Sequence, residues 1–274
     1  MVLEEARAKT NLGLAVLGRR PDGYHELHTV FASLNLADRV RLEPLDRGIR
    51  LSVRGADLPA DESNLAHRAA RSYLEAARIS SGVGITLEKE IPVAAGLGGG
   101  SADAAAVLRG MERLFGAGVD LEALAERLGA DVPFLLRGGL AEARGVGERL
   151  RFLPPRKLHF VLLNPGRAVS TAKVYQALVP EELGPSLPVE AILETLAAGE
   201  APPWRNDLEA PAFRLHPELA DLKAELASLG LSPLLSGSGA TFLLPVPGPE
   251  AAQETARRLR MRYPGAWTRA VETA

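Results

Sequence analysis

Alternating hydrophobic and polar residues dominate the first part of the chain and predict β-strands. In the segment 4–17, Leu12 and Leu14 fall on one face of an extended chain. An Asp22-Gly23 pair then marks a tight turn. Further strands are predicted at 29–35, 39–43, 49–54 and 84–91.

Other segments carry apolar residues at helical spacing. The segment 62–77 predicts an amphipathic helix in which Ser63 can cap the first turn. After a cluster of glycines, Val107 and Met111 belong to an apolar stripe that predicts a helix packed on a sheet. A further helix is predicted directly after Asp120.

The second half of the chain mixes strands and helices without strict alternation, which favours the α+β class. Strands are predicted at 159–163, 241–246 and 267–271, and helices within 171–179, 189–198, 217–229 and 250–262. Because Pro154-Pro155 separates a charged segment from an apolar run, a domain boundary is predicted there. Two domains, 1–155 and 156–274, are therefore expected.

Charge and composition narrow the classes of function. With 32 Lys and Arg against 34 Asp and Glu, the formal net charge of -2 provides no global attraction for nucleic acid or anionic membranes. The chain lacks an apolar run of about 18 residues and has a charged amino terminus, so a cytoplasmic protein is expected. Cysteine is absent, which excludes disulfides and Cys-ligated zinc. His25 and His28 lack a third ligand cluster for structural zinc.

A glycine-rich loop stands directly before the predicted helix. Four of the six positions from Gly96 to Ser101 are glycine. Glycine lets the backbone approach a ligand closely, and a helix amino terminus offers N–H groups and partial positive charge, so this segment predicts a phosphate cradle. A tight connection between strand and helix is the alternative. The loop is not a Walker A sequence, and Ser101 at the third glycine position disagrees with a dinucleotide-binding fingerprint.

The run PVAAGLGGGSADAAAVL at 92–108 resembles the second signature of the GHMP kinases, the family of galactokinase, homoserine kinase and mevalonate kinase. Two more segments, 8–27 and the glycine-rich 236–244, stand where that family has its other motifs. AKTNLGLAVLGRRPDGYHEL, GADVPF and RNDLE are similar to the subgroup that phosphorylates a cytidine diphosphate-linked methylerythritol. The resemblance extends from Lys9 to about Leu244.

This resemblance implies an α+β fold of two domains, the amino-terminal one like ribosomal protein S5 domain 2 and the carboxy-terminal one ferredoxin-like, with the active site in the cleft between them. It also implies transfer of the γ-phosphate of ATP, accompanied by Mg²⁺, to the 2-hydroxyl of that small-molecule substrate in the non-mevalonate isoprenoid pathway. Two alternatives remain: another acceptor, such as mevalonate, homoserine or a sugar, and a non-catalytic regulator that binds nucleotide.

Asp131 and Lys9 are the candidate catalytic residues. A carboxylate within reach of the attacking hydroxyl can orient it and accept its proton. An ammonium can stabilise that carboxylate, the nucleophilic oxygen or the transferring phosphoryl group. Locally, Asp131 could instead cap a short helix, and Lys9 could be a solvated charge on a strand.

The resemblance assigns other residues to the acceptor. Tyr24 and His25 are expected to recognise the cytosine and Tyr175 to lie on its other face, although Tyr175 could equally be a core residue. The remaining expected acceptor contacts are Asn11, Thr171, Gly237, Ser238 and Gly239.

The nucleotide is expected to contact the glycine loop and two outlying residues, Asn64 and Lys89, although each of these could instead be only a capping or surface residue. Ser101 could bind phosphate or Mg²⁺, or simply cap the helix, and Asp103 stands where the family pattern has Asn, which puts its phosphate contact in doubt. The full expected set is Asn64, Lys89, Pro92, Val93, Ala94, Ala95, Gly96, Leu97, Gly98, Gly99, Gly100, Ser101, Ala102 and Asp103.

Overall fold

A computed structural model describes all residues from 1 to 274. The chain divides into two compact units, each assembled from three segments. The first unit consists of 1–9, 36–93 and 98–138, and the second of 10–35, 94–97 and 139–274. The predicted domain boundary near residue 155 stays a prediction.

Two long strands contribute residues to both units: β1 (Val2–Arg19) and β2 (His25–Leu45). In the first unit, β3 (Ile49–Arg54) pairs in parallel with β4 (Gly82–Glu88), and β4 pairs antiparallel with the second half of β2. The helices of this unit are α1 (Leu65–Ala77), α2 (Gly99–Phe115), α3 (Leu121–Leu128) and α4 (Val132–Arg137).

Helix α2 is the buried centre of the first unit. Its run from Ala102 to Leu108 is almost entirely apolar and buried, since alanine both favours helix and lets neighbouring elements approach closely. Helix α1 packs against it, and the buried Tyr73 hydroxyl donates a hydrogen bond of 2.8 Å to Glu112. The glycine loop is therefore attached to a rigid element.

The second unit contains a four-stranded antiparallel sheet in the order β10-β7-β9-β8. The first half of β2 pairs antiparallel with β5, which in turn pairs with β6. The strands are β5 (Leu140–Gly145), β6 (Arg149–Phe152), β7 (His159–Asn164), β8 (Leu234–Leu235), β9 (Phe242–Val246) and β10 (Trp267–Glu272). The helices are α5 (Thr171–Gln176), α6 (Val189–Ala197), α7 (Glu209–Leu215), α8 (Pro217–Ser228) and α9 (Pro249–Arg262).

Fully buried apolar residues such as Val161, Leu163, Phe242 and Leu244 alternate along the paired strands of the second unit and form its core. Helix α9 packs against β7 and β10 and contributes Ala256 to the same core. Among the helices of the chain, none combines the length and the apolar character needed to cross a membrane.

Three predicted elements differ from the structure: two strands and the start of the first helix. The strands predicted at 29–35 and 39–43 are parts of the continuous β2. The first helix begins at Leu65, because Asp61 accepts hydrogen bonds from the backbone and hydroxyl of Ser63, and Asn64 rather than Ser63 caps the helix through the amide of Ala66.

The elements β5, β6, β8 and α7 were not predicted, and α4 was foreseen only as the short helix that Asp131 could cap. In β5 and β6, charged residues such as Glu142 and Arg151 concealed the alternation, and Pro211 lies inside α7.

Candidate active site

In the first unit, the helix amino terminus behind the glycine loop has no side-chain cap. Gly98 is the residue before α2, and its φ of 69° lies in the left-handed region that favours glycine. The first amides of a helix have no partner within the helix, so they can bind an anion. Ser101 lies inside the first turn, which corrects the idea that it caps the helix.

Lys9 lies beside this turn. A Cβ added to Gly98 would meet Lys9 Cγ at 2.9 Å, a separation at which something must move. Glycine at position 98 is therefore required twice, by its backbone conformation and by the space that the lysine side chain occupies.

Lys9 and Asp131 form an ion pair within the first unit, with 3.5 Å between Nζ and the nearer carboxylate oxygen. The lysine side chain is 8% exposed and the aspartate side chain 32% exposed. Asp131 is the residue before α4, yet its side chain makes no capping hydrogen bond. The local interpretation of Asp131 as a helix cap therefore lacks the interaction it needs, and the carboxylate remains accessible beside an ammonium.

The predicted outlying nucleotide contacts have structural partners of their own. The Asn64 amide caps α1 and donates to the carbonyl of Pro59 at 2.8 Å. The Lys89 ammonium is buried and held by two carboxylates, those of Asp38 and Asp103. Roles for Asn64, Lys89 and Asp103 in nucleotide binding stay predictions.

Asp103 is a buried carboxyl group with an unusual environment. Burial raises its pKa to about 7, against the opposing effect of the Lys89 ammonium, and the nearby Asp38 carboxylate raises it further. One of its oxygens, Oδ1, is buried without a hydrogen-bond partner. Protonation of this carboxyl removes the cost of burying a second negative charge beside Asp38.

In the second unit, the segment 94–97 is attached to the glycine-rich segment 236–241. The Ser236 hydroxyl donates to the carbonyl of Gly96 at 3.0 Å, and the Thr241 amide donates to the carbonyl of Ala95 at 3.3 Å. Gly96 has a φ of 77°, and a Cβ there would collide with the Ser236 carbonyl. Two of the predicted motifs are therefore in direct contact.

The aromatic residues predicted for the acceptor also lie together in the second unit. The rings of His25 and Tyr175 stack with centroids 5.2 Å apart and an interplanar angle of 28°. Burial, and next the positive charge of Arg19, lower the pKa of His25, so the ring is neutral near pH 7 and can both donate and accept a hydrogen bond. Tyr24 is 66% exposed, which leaves its ring accessible for stacking.

Polar residues of the second unit form short pairs near the segment 236–239. The side-chain amide of Asn11 donates a hydrogen bond of 2.7 Å to the hydroxyl of Thr29. A Cβ added to Gly237 would lie 3.5 Å from the Asn11 side-chain oxygen Oδ1. The hydroxyls of Thr171 and Ser238 are 2.8 Å apart. Four of the eight predicted acceptor residues therefore contact one another, His25 with Tyr175 and Thr171 with Ser238.

Asn206 is a positioning residue to which sequence reasoning gave no role, although it lies in the RNDLE motif. Its side-chain amide donates to the carbonyls of Leu235 and Gly237, at 2.8 and 2.6 Å, and its own carbonyl accepts from the amide of Leu208. The neighbouring Asp207 accepts from the amide of Val16 at 2.8 Å. Through Asn206, the RNDLE motif thus holds the backbone of the glycine-rich segment at residues 235 and 237.

Comparison with known proteins shows the family. The family descriptions "GHMP kinases N terminal domain" and "GHMP kinases C terminal" match residues 64–139 and 189–265. The chain belongs to the GHMP kinase family. It is thus a small-molecule kinase with ATP as co-substrate, and the predicted family and its α+β two-domain fold are confirmed.

Individual relatives of this GHMP kinase match over nearly their whole lengths. A protein named 4-diphosphocytidyl-2-C-methyl-D-erythritol kinase from Thermus thermophilus is 54% identical over 266 residues, which cover 97% of this chain and 93% of that protein. The same-named protein of Deinococcus radiodurans is 45% identical, with 97% and 91% covered.

Solved structures extend the comparison. A crystal structure of 4-(cytidine 5'-diphospho)-2C-methyl-D-erythritol kinase has a TM-score of 0.90 at 51% identity, with both chains fully covered. A homoserine kinase from Cytophaga hutchinsonii has a TM-score of 0.70 at 20% identity, covering 99% of this chain and 94% of that one, and shares the fold.

We expect Gly98→Ala to reduce the free energy of unfolding by about 1–3 kcal/mol, because alanine is strained at this φ and its Cβ meets Lys9. Urea denaturation of purified variants measures this. Gly100→Ala is the matched control, since a Cβ there meets nothing within 4 Å and alanine favours helix. Equal stability of the two variants would contradict the packing described for Gly98.

We expect the stability of the wild-type protein to fall relative to Asp103→Asn as the pH rises from about 4 to about 7. The folded protein holds a proton on Asp103 that the unfolded chain has released in this range, so raising the pH favours unfolding. Each unit of pKa difference corresponds to about 1.4 kcal/mol, and the effect should reach a few kcal/mol. Urea denaturation at half-unit pH intervals measures the difference in free energy of unfolding between the wild type and Asp103→Asn. A difference that does not change with pH would refute the raised pKa of Asp103.

Proposed function

We propose that this GHMP kinase transfers the γ-phosphate of ATP to the 2-hydroxyl of 4-diphosphocytidyl-2-C-methyl-D-erythritol, a step of the non-mevalonate isoprenoid pathway. The observation that carries the proposal is the Lys9–Asp131 pair, 3.5 Å apart beside the uncapped amino terminus of α2. The identities of 54% and 45% to relatives bearing that name support the choice of acceptor.

In the proposed reaction, Asp131 orients the 2-hydroxyl and accepts its proton as the oxygen attacks the γ-phosphorus. The new bond joins the acceptor oxygen to phosphorus, the bond from phosphorus to the bridging β-γ oxygen breaks, and ADP leaves. The ammonium of Lys9 stabilises the negative charge on the transferring phosphoryl group. Its burial strengthens this effect, because little water surrounds it.

ATP binding is assigned to the first unit and to the segment 94–97. The amides at the start of α2 offer hydrogen bonds and partial positive charge to the phosphates, and Gly99 and Gly100 keep side chains away from them. Asn64 and Lys89 are proposed to line the adenosine pocket, Lys89 through its main-chain atoms because its side chain is only 4% exposed.

Mg²⁺ fits the donor groups present. The structure has no cluster of three or more His, Asp or Glu side chains that could hold a metal, but nucleotide-bound Mg²⁺ is held mainly by phosphate oxygens and water, with one or two protein groups. The Ser101 hydroxyl in the first turn of α2 is the proposed protein ligand. When bound, the ion neutralises charge on the phosphates.

Recognition of the cytidine part is assigned to the second unit. Tyr24 and Tyr175 offer aromatic faces for stacking, and the neutral His25 offers one donor and one acceptor to the base edge. Asn11, Thr171 and the segment Gly237, Ser238 and Gly239 are proposed to contact the rest of the acceptor. Because both substrates are charged small molecules, we propose that the enzyme acts in the cytoplasm, without nucleic-acid or membrane partners.

The product identifies the reaction. Incubated with Mg-ATP and the cytidyl acceptor, the protein is expected to yield ADP and an acceptor heavier by one phosphate, with a new phosphomonoester signal in phosphorus NMR. Mevalonate, homoserine and galactose serve as comparison acceptors. If one of these three were phosphorylated and the cytidyl acceptor were not, the assigned acceptor would be wrong. Binding of ADP without turnover of any acceptor would favour the non-catalytic regulator.

Asp131→Asn and Lys9→Ala are each expected to lower kcat by about 10²–10⁴-fold while ATP affinity, measured by calorimetry, changes little. Matched controls are Asp120→Asn, which removes a carboxylate that does cap a helix, and Arg7→Ala, which removes an exposed cation from the same strand as Lys9. Loss of ATP binding in parallel with kcat would contradict the assigned roles.

A further inference from the structure

Asp38 lies within β2 and is fully buried. One carboxylate oxygen, Oδ1, accepts hydrogen bonds from the backbone amides of Glu90 and Ile91, at 2.6 and 2.8 Å. The other, Oδ2, accepts from the ammonium of Lys89. Three consecutive residues of the segment that leads from β4 toward the glycine loop are therefore held by one side chain.

The same interaction reaches the far side of the glycine loop. The Lys89 ammonium also donates to Asp103, near the amino end of α2 and five positions after Gly98. The side chains of Lys89, Asp38 and Asp103 are 4%, 0% and 3% exposed, so the network is shielded from water. Asp38 is thereby connected to the chain on both sides of the loop, and all these residues belong to the first unit.

Stability alone does not explain this network. Burying charged groups costs free energy, and a buried ion pair can often be replaced by apolar residues without loss of stability. Here two buried carboxyl groups share one ammonium, and Asp103 Oδ1 has no hydrogen-bond partner. What the network does provide is fixed geometry, because charge-assisted hydrogen bonds in a dry environment are strong and directional.

We propose that Asp38 is a positioning residue for nucleotide binding, which through Lys89 and Asp103 holds the two ends of the glycine loop in the arrangement that accepts ATP. This inference rests on the proposed function. Asp38 contacts no phosphate itself; it sets the backbone of residues 89–91 and the start of α2. Its loss should therefore weaken ATP binding, with little effect on the chemical step once ATP is bound.

Glu4 provides a matched comparison. It is also an acidic residue in a strand of the first unit, with its side chain 9% exposed, and it also binds α2. Its carboxylate accepts from Arg109 at 3.1 Å and Arg113 at 2.6 Å, in the carboxy-terminal half of that helix. Loss of Glu4 removes an anchor of α2 that is remote from the glycine loop.

The test compares steady-state kinetics and hydrogen exchange for the wild type, Asp38→Asn and Glu4→Gln. Asp38→Asn is expected to raise KM for ATP about tenfold or more, with kcat at saturating ATP within about threefold of the wild type. Exchange should accelerate in peptides that cover residues 86–103. Glu4→Gln is expected to leave KM for ATP and the exchange of 86–103 as in the wild type.

Asp103→Leu distinguishes an effect on ATP binding from an effect on stability. It removes the connection to α2 but leaves Asp38 and Lys89 as a neutral pair, so the protein should be at least as stable as the wild type at pH 8. KM for ATP should nevertheless rise. This variant also keeps the inference testable if Asp38→Asn fails to fold.

Wild-type turnover combined with an unchanged KM for ATP in folded Asp38→Asn or Asp103→Leu would overturn this inference alone. An equal rise in KM for Glu4→Gln would do the same, since it would show a general effect of loosening α2. Absence of ATP turnover by the wild type would instead overturn the proposed function, and this inference with it.

Discussion

The ion pair between Lys9 and Asp131 is the interaction on which the chemistry proposed for this kinase depends. A buried ammonium without a counter-charge is costly, and Asp131 supplies that counter-charge within the same unit, beside the first turn of α2. The strand supplies the lysine, the start of α4 supplies the aspartate, and Gly98 leaves room for the lysine stem. A change at any one of these three residues therefore alters the packing or pairing of the other two.

The acidic residues of the first unit differ in their exposure to water. Asp131 is partly exposed beside a single ammonium, which suits a group that must meet a substrate. Asp38 and Asp103 are closed off from water and share one ammonium, which suits groups that hold the backbone. Accessibility, more than charge, therefore distinguishes the residues assigned to the reaction from those assigned to its support.

Local patterns predicted the elements with strong periodicity, including β3, α2 and α3, because apolar spacing and turn residues agree there. The site residues came mainly from the family resemblance, since a lysine on a strand and an aspartate before a proline carry no chemistry by themselves. Asp38 was missed because an acid between two strand-like runs resembles a turn residue. Only the fold shows that Lys89 and two amides satisfy its carboxylate, which lets β2 continue through that position.

The order in which the chain visits its two units has a consequence for dissection of the enzyme. Residues 10–35 and 94–97 belong with the carboxy-terminal half, although they are flanked by segments of the first unit. A single cut near residue 155 would leave the carboxy-terminal fragment without β5 and β6, which belong to its unit, and without the Gly96 carbonyl that Ser236 contacts. Neither half can therefore be expressed as an autonomous module by simple truncation, and an insertion or fusion is better placed in exposed turns than between the halves.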